Sequence, residues 1–84
     1  MERWSFLVLA ADDGSPKGFR IVLRAGDDES KWPKLQVDLA GTEMPVDDEQ
    51  HDYEAPEWKA QQIFGGGEAK WESLKDKLRA QAPA

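Results

Sequence analysis

The chain of 84 residues predicts an α+β fold, a three-stranded antiparallel meander covered on one face by one short and one longer C-terminal helix. Three observations lead there. Apolar residues alternate with polar ones over residues 3–11, 19–24 and 34–39, as in strands with one buried face. The connections between these segments are short, and short connections favour antiparallel neighbours. Such a sheet leaves an apolar face that something must cover, and only the segment after residue 55 carries helix signals.

In the first strand Trp4, Phe6, Val8 and Ala10 face one way, and Arg3, Ser5, Leu7 and Leu9 the other. Residues 12–18, DDGSPKG, combine the strongest turn formers and predict a hairpin loop. Phe19, Ile21 and Leu23 then alternate with Arg20, Val22 and Arg24. After the polar connection 25–33, where Pro33 biases Trp32 towards extended backbone, Leu35, Val37 and Leu39 oppose Lys34, Gln36 and Asp38. A short helix is predicted over 56–64: Pro56 suits its first position, Glu57 complements its dipole, and Gly65-Gly66-Gly67 stops it. The longer helix, 68–81, places Trp71, Leu74 and Leu78 on one stripe, with Glu68 and Glu72 early and Lys75, Lys77 and Arg79 late.

A single domain of this length buries only roughly 60% of its unfolded surface. With no Cys there is no disulfide to add stability, so the four Trp and three Phe are the expected core. Trp4 and Trp71 have periodic apolar neighbours and are assigned to it. The apolar run 6–11 is too short for a signal sequence or a bilayer span, which predicts a soluble, cytoplasmic protein with no membrane partner. A net charge of −6 argues against direct binding of nucleic acid through its phosphates.

The charge is uneven. Residues 41–57 hold seven carboxylates and no Lys or Arg, and within them the connection 41–55 is longer than a compact domain needs. Glu43, Asp47, Asp48, Glu49, Asp52, Glu54 and Glu57 are therefore candidate partner-binding residues. Trp32, in a polar loop, and Trp58, beside the acids, join them because Trp is enriched at the energetic centres of interfaces. Arg20, Arg24 and Lys34 share a basic sheet face with Arg3. Pairing of that face with Asp38 or with the acidic stretch itself is favoured over binding of a nucleic-acid single strand.

Enzymatic chemistry finds little support. Asp47 or Asp48 followed by Glu57-Trp58-Lys59 resembles the acid and E-x-K arrangement of the metal-dependent PD-(D/E)xK nucleases, which would imply carboxylates holding Mg²⁺ and a lysine assisting the attacking water. E-x-K also occurs at Glu29 and Glu68, Val46 stands where the motif has Asp after Pro45, and Pro56 predicts a helix where that family has a strand. His51 lies among Asp47, Asp48, Glu49 and Asp52, and is read as a solvated loop histidine because zinc takes several N or S ligands. The acids lack EF-hand spacing, and no serine has a nucleophile-elbow context. No catalytic residue, metal ligand or cofactor is assigned.

Two function classes remain. One is a protein-interaction module that offers a carboxylate-rich surface to a basic partner protein, including an inhibitor that occupies a nucleic-acid-binding site on that partner. The other is a structural or accessory subunit that self-associates or completes an assembly through an open sheet edge, so that monomer and homodimer both stay open.

Overall fold

A computed structural model describes residues 2–49 and 52–82. The strands are β1 (Trp4–Ala10), β2 (Pro16–Leu23), β3 (Lys34–Asp38), β4 (Glu43–Met44) and β5 (Asp52–Ala55), followed by the helices α1 (Glu57–Ile63) and α2 (Glu68–Gln81). They form an α+β fold with one five-stranded sheet in the order β4-β3-β2-β1-β5, every neighbouring pair antiparallel.

The predicted meander is the centre of this sheet. Trp4 pairs with Leu23 and Phe6 with Ile21, while Ile21 pairs with Leu35 and Phe19 with Val37. The β1–β2 turn is tighter than expected. Ala11 donates its N–H to the Ser15 carbonyl at 2.8 Å, and the Asp13 carboxylate accepts from the Ser15 N–H and hydroxyl at 2.9 and 2.6 Å. Strand β2 therefore begins at Pro16, with a register shift between Leu9 and Ala10. At Gly18 the backbones of β2 and β3 come so close that a Cβ would strike the Val37 carbonyl.

Phe6, Val8, Phe19, Ile21, Leu35 and Val37 form the floor of the core, and Trp71, Leu74 and Leu78 of α2 cover it. Trp71 has no solvent exposure. Its ring centroid lies 5.4 Å from Phe6, 5.7 Å from Phe19 and 5.1 Å from Phe64, an aromatic cluster that adds contact geometry to buried area. Trp4 borders the core: it stacks on Phe6 at 6.2 Å and lies beneath the Lys75 ammonium and the Arg79 guanidinium, at 5.0 and 5.4 Å. At the corner between the helices Gly67 takes φ +90°, a conformation natural to glycine, and its carbonyl accepts the Trp71 N–H.

Three expectations need correction. The sheet has five strands, because the acidic connection 41–55 itself contains β4 and β5. Two and four residues are too few to show an apolar period, so pairing there rests on main-chain hydrogen bonds that side chains do not advertise. Pro56 is the N-cap of α1 and lies outside its first turn. Leu9 is fully buried on the face opposite the helices, although that face was expected to be the open one. Among the described residues no helix is long and apolar enough to cross a membrane.

Candidate functional site

The acidic segment leaves the sheet at β4, on one edge, and rejoins it at β5, on the other. Its described residues thus strap the face opposite the helices, and Arg20 in the central strand β2 anchors them. Arg20 pairs with Leu7 and Gln36 in register, so its side chain rises on the strapped face. Its guanidinium donates to the Asp52 carboxylate at 2.8 Å and to the Asp47 main-chain carbonyl. The Gln36 side-chain carbonyl accepts from Arg20 at 3.5 Å and from the Asp47 N–H at 3.2 Å. Asp48 stands 3.7 Å from Arg20 Nε with its own side chain 70% exposed. Arg20 is only 5% exposed, a burial that a charge tolerates when it is paired and hydrogen-bonded.

The nine candidate residues separate into groups. Asp47, Asp48 and Asp52 gather round Arg20. The Asp47 carboxylate also accepts the Glu49 N–H at 3.0 Å. Glu49 is exposed on the strap, and Glu54, exposed on the same face of β5, makes no ion pair with any described residue. Asp48, Glu54 and Trp32 line one shallow cavity of about 270 Å³ with Leu7, Val22 and Lys34. Trp32 is held there as structure: its indole N–H bonds the Gly26 carbonyl at 2.8 Å, and the Arg24 guanidinium lies 5.8 Å from its ring. Glu43 belongs to the far edge and pairs with Lys77 at 3.1 Å. His51 lies outside the described residues.

Glu57 leaves the group altogether. It turns to the helix layer, where its carboxylate accepts from the Trp71 indole at 2.9 Å and from the Lys75 ammonium at 2.8 Å. Partial burial pushes its pKa up, yet the Lys75 and Trp71 hydrogen bonds outweigh that effect and hold the carboxyl below its ordinary value. Asp48 and Glu57 thus face different layers of the molecule, and the geometry does not bring together the acids of the nuclease-like arrangement. Among the described residues no group of three or more His, Asp or Glu side chains is placed to hold a metal ion.

Residue exposure adds two positions that charge reading overlooked. Among the described residues the large apolar side chains left exposed are Val46 at 42%, Tyr53 at 45% and Trp58 at 67%, all within or beside the strap. Tyr53 carried a faint signal, since Asp52 and Glu54 alternate with Tyr53 and Ala55, but two periods are too few to separate a strand from an acidic loop.

Among the described residues no strand pairs with the outer edge of β5, and this free edge has a defined polarity. Arg24 donates its N–H to the Arg3 carbonyl at 2.8 Å, so Arg3 and each second residue after it direct their main-chain groups at β2. Phe6 and Val8 therefore direct theirs at β5, where they oppose Ala55 and Tyr53. By the same alternation Asp52 and Glu54 turn their N–H and C=O groups away from the sheet.

Comparison of the chain with family models, with curated proteins and with solved structures finds no match in any of the three.

Proposed function

We propose that the protein is an interaction module that presents its acidic strap and the adjoining β5–α1 corner to a basic surface on a partner protein. The observation that supports this reading best is the coincidence of exposed aromatic and acidic groups. Tyr53 and Trp58 are exposed in the same short stretch as Glu54, with Val46, Asp48 and Glu49 on the strap that precedes it. Exposed carboxylates steer a basic partner and select against acidic ones, while Tyr and Trp provide the large desolvated contacts that carry binding energy. A lysine- and arginine-lined groove that normally holds nucleic acid is one surface of this chemistry, and occupying it makes the module an inhibitor.

Arg20 dictates how this is tested. Neutralising Asp52 would unpin the strap as well as remove charge, so the acids to change are those that leave Arg20 paired. The variant Glu49→Gln/Glu54→Gln/Trp58→Ser keeps Asp47, Asp48 and Asp52, and all three of its sites are exposed. Immobilised native protein is expected to retain basic proteins from a lysate at low salt and release them as salt rises, because exposed charges are screened within about 8 Å at physiological ionic strength. The variant, with unchanged circular dichroism and melting, is expected to retain few of them. Equal capture by both proteins overturns the proposal.

A further inference from the structure

We infer that the free edge of β5 takes up an extended segment of the partner as an antiparallel sixth strand, one in which basic residues stand two apart with an apolar residue between them. This rests on the interaction-module reading and specifies its partner.

The edge supplies both halves of such recognition. Asp52 and Glu54 turn main-chain donors and acceptors outward, so an added strand gains hydrogen bonds whatever its sequence. The side chains of the same two residues lie on the strapped face, opposite Leu9 and Leu7 in register, while Tyr53 and Ala55 oppose Val8 and Phe6 on the helix face. Incoming residues placed directly across from Asp52 and Glu54 point to the strapped face too, with Cα atoms about 5.5 Å away, within reach of a lysine or arginine. The residue between them points to the helix face, beside Tyr53, which is 45% exposed.

Charge selects among occupants. Glu54 has no ion-pair partner among the described residues, and Asp48 on the same face is 70% exposed, whereas Asp52 already holds Arg20. The requirement for a cation is therefore greatest across from Glu54. A second copy of this chain fits poorly: two β5 strands paired antiparallel about Tyr53 place Asp52 opposite Glu54 twice, a like-charge arrangement that opposes pairing. The other edge is closed to the same use, because β4 has two residues, is followed by Pro45, and is tied to α2 by Glu43–Lys77. Strand β5 has no Lys and no Pro within it, the usual guards of an exposed edge.

The test uses labelled peptides titrated with the full chain and read by fluorescence polarisation. The probe is Lys-Val-Lys-Val-Lys-Val, compared with its isomer Lys-Lys-Lys-Val-Val-Val of equal charge. Two further forms of the probe are N-methylated at the lysines or at the valines. In the inferred pairing the lysines exchange hydrogen bonds with Asp52 and Glu54, so lysine methylation is expected to abolish binding and valine methylation to leave it within about threefold. The alternating probe is expected to bind at least about tenfold more tightly than its isomer, and Glu54→Lys, at an exposed position, to lose that margin while keeping its melting temperature. Equal affinity of the two isomers, or indifference to lysine methylation, overturns the edge mode. If neither peptide binds while salt-sensitive capture by native protein persists, the edge inference fails and the interaction-module reading stands. Loss of both overturns both.

Discussion

Replacing Arg20 by Met asks whether one buried cation holds the strap to the sheet. Met preserves most of the aliphatic stem that packs between β1 and β3, so the change isolates the guanidinium. The structure gives that group a 2.8 Å bond to Asp52, a bond to the Asp47 carbonyl and a longer one to Gln36. Hydrogen bonds involving a charged group contribute about 1.5–3 kcal/mol each. The Asp52 side chain is 29% exposed and regains water once released, and the Gln36 contact is long at 3.5 Å, which brings each contribution down to about 1 kcal/mol or less. A combined loss of about 2–3 kcal/mol follows. That is roughly a 30- to 150-fold shift in the folding equilibrium, or about 10–20 °C in melting temperature for a domain of this size. Urea denaturation measures the loss. Hydrogen exchange locates it, since Phe6 and Val8 direct their main-chain groups at β5 and should exchange faster if the strap detaches. Asp52→Asn, which keeps an acceptor and gives up the charge, is expected to cost about 1 kcal/mol. A loss below about 0.5 kcal/mol for Arg20→Met, with unchanged exchange at Phe6 and Val8, would refute the anchoring role.

Two other perturbations probe the frame that carries the strap. The Arg79 hydrogen bond holds the Glu2 carboxyl down at about 2, and Glu57 is likewise held below its ordinary value of 4.5. Depressed carboxyl pKa values stabilise the fold above the unfolded-state value and cease to do so as pH falls through the folded one. The melting temperature is therefore expected to decline from about pH 4.5 towards pH 2, and Glu57→Gln to flatten the upper part of that decline. An unaltered acid profile in the variant would remove Glu57 from the account. Gly18→Ala drives a methyl into the Val37 carbonyl and is expected to destabilise by about 1–3 kcal/mol in urea denaturation, with neutrality ruling out the close β2–β3 approach.

The parts of the fold that could be read in advance share one property: a period long enough to repeat. Phe19, Ile21 and Leu23 alternate without interruption, and Trp71, Leu74 and Leu78 keep one helical stripe, so β2 and α2 followed from side-chain pattern alone. The candidate site had no such period. Its seven acids identified a distinct segment, but composition could not separate Asp52, paired with Arg20, from Glu54, which lies on the same face two residues later without an ion pair to any described residue. Nor could it assign Glu57 to the helix layer, because the partners that claim it, Trp71 and Lys75, lie 14 and 18 residues away. Of the two pairings expected for the basic face, with Asp38 or with the acidic stretch, Arg20 makes the second. Arg24 instead lies over Trp32.

The sequence alone determined the α+β class, the central meander, the aromatic core under α2 and the concentration of negative charge between residues 41 and 57. Each of these is written in side-chain chemistry repeated along a local segment. Only the tertiary structure decided that the acidic segment crosses the sheet and lends a strand to each edge. Those strands are held by main-chain hydrogen bonds, which nearly every residue can make, and by a contact between Arg20 and Asp52, 32 residues apart. Which carboxylate is drawn to the buried guanidinium is settled by that long-range contact.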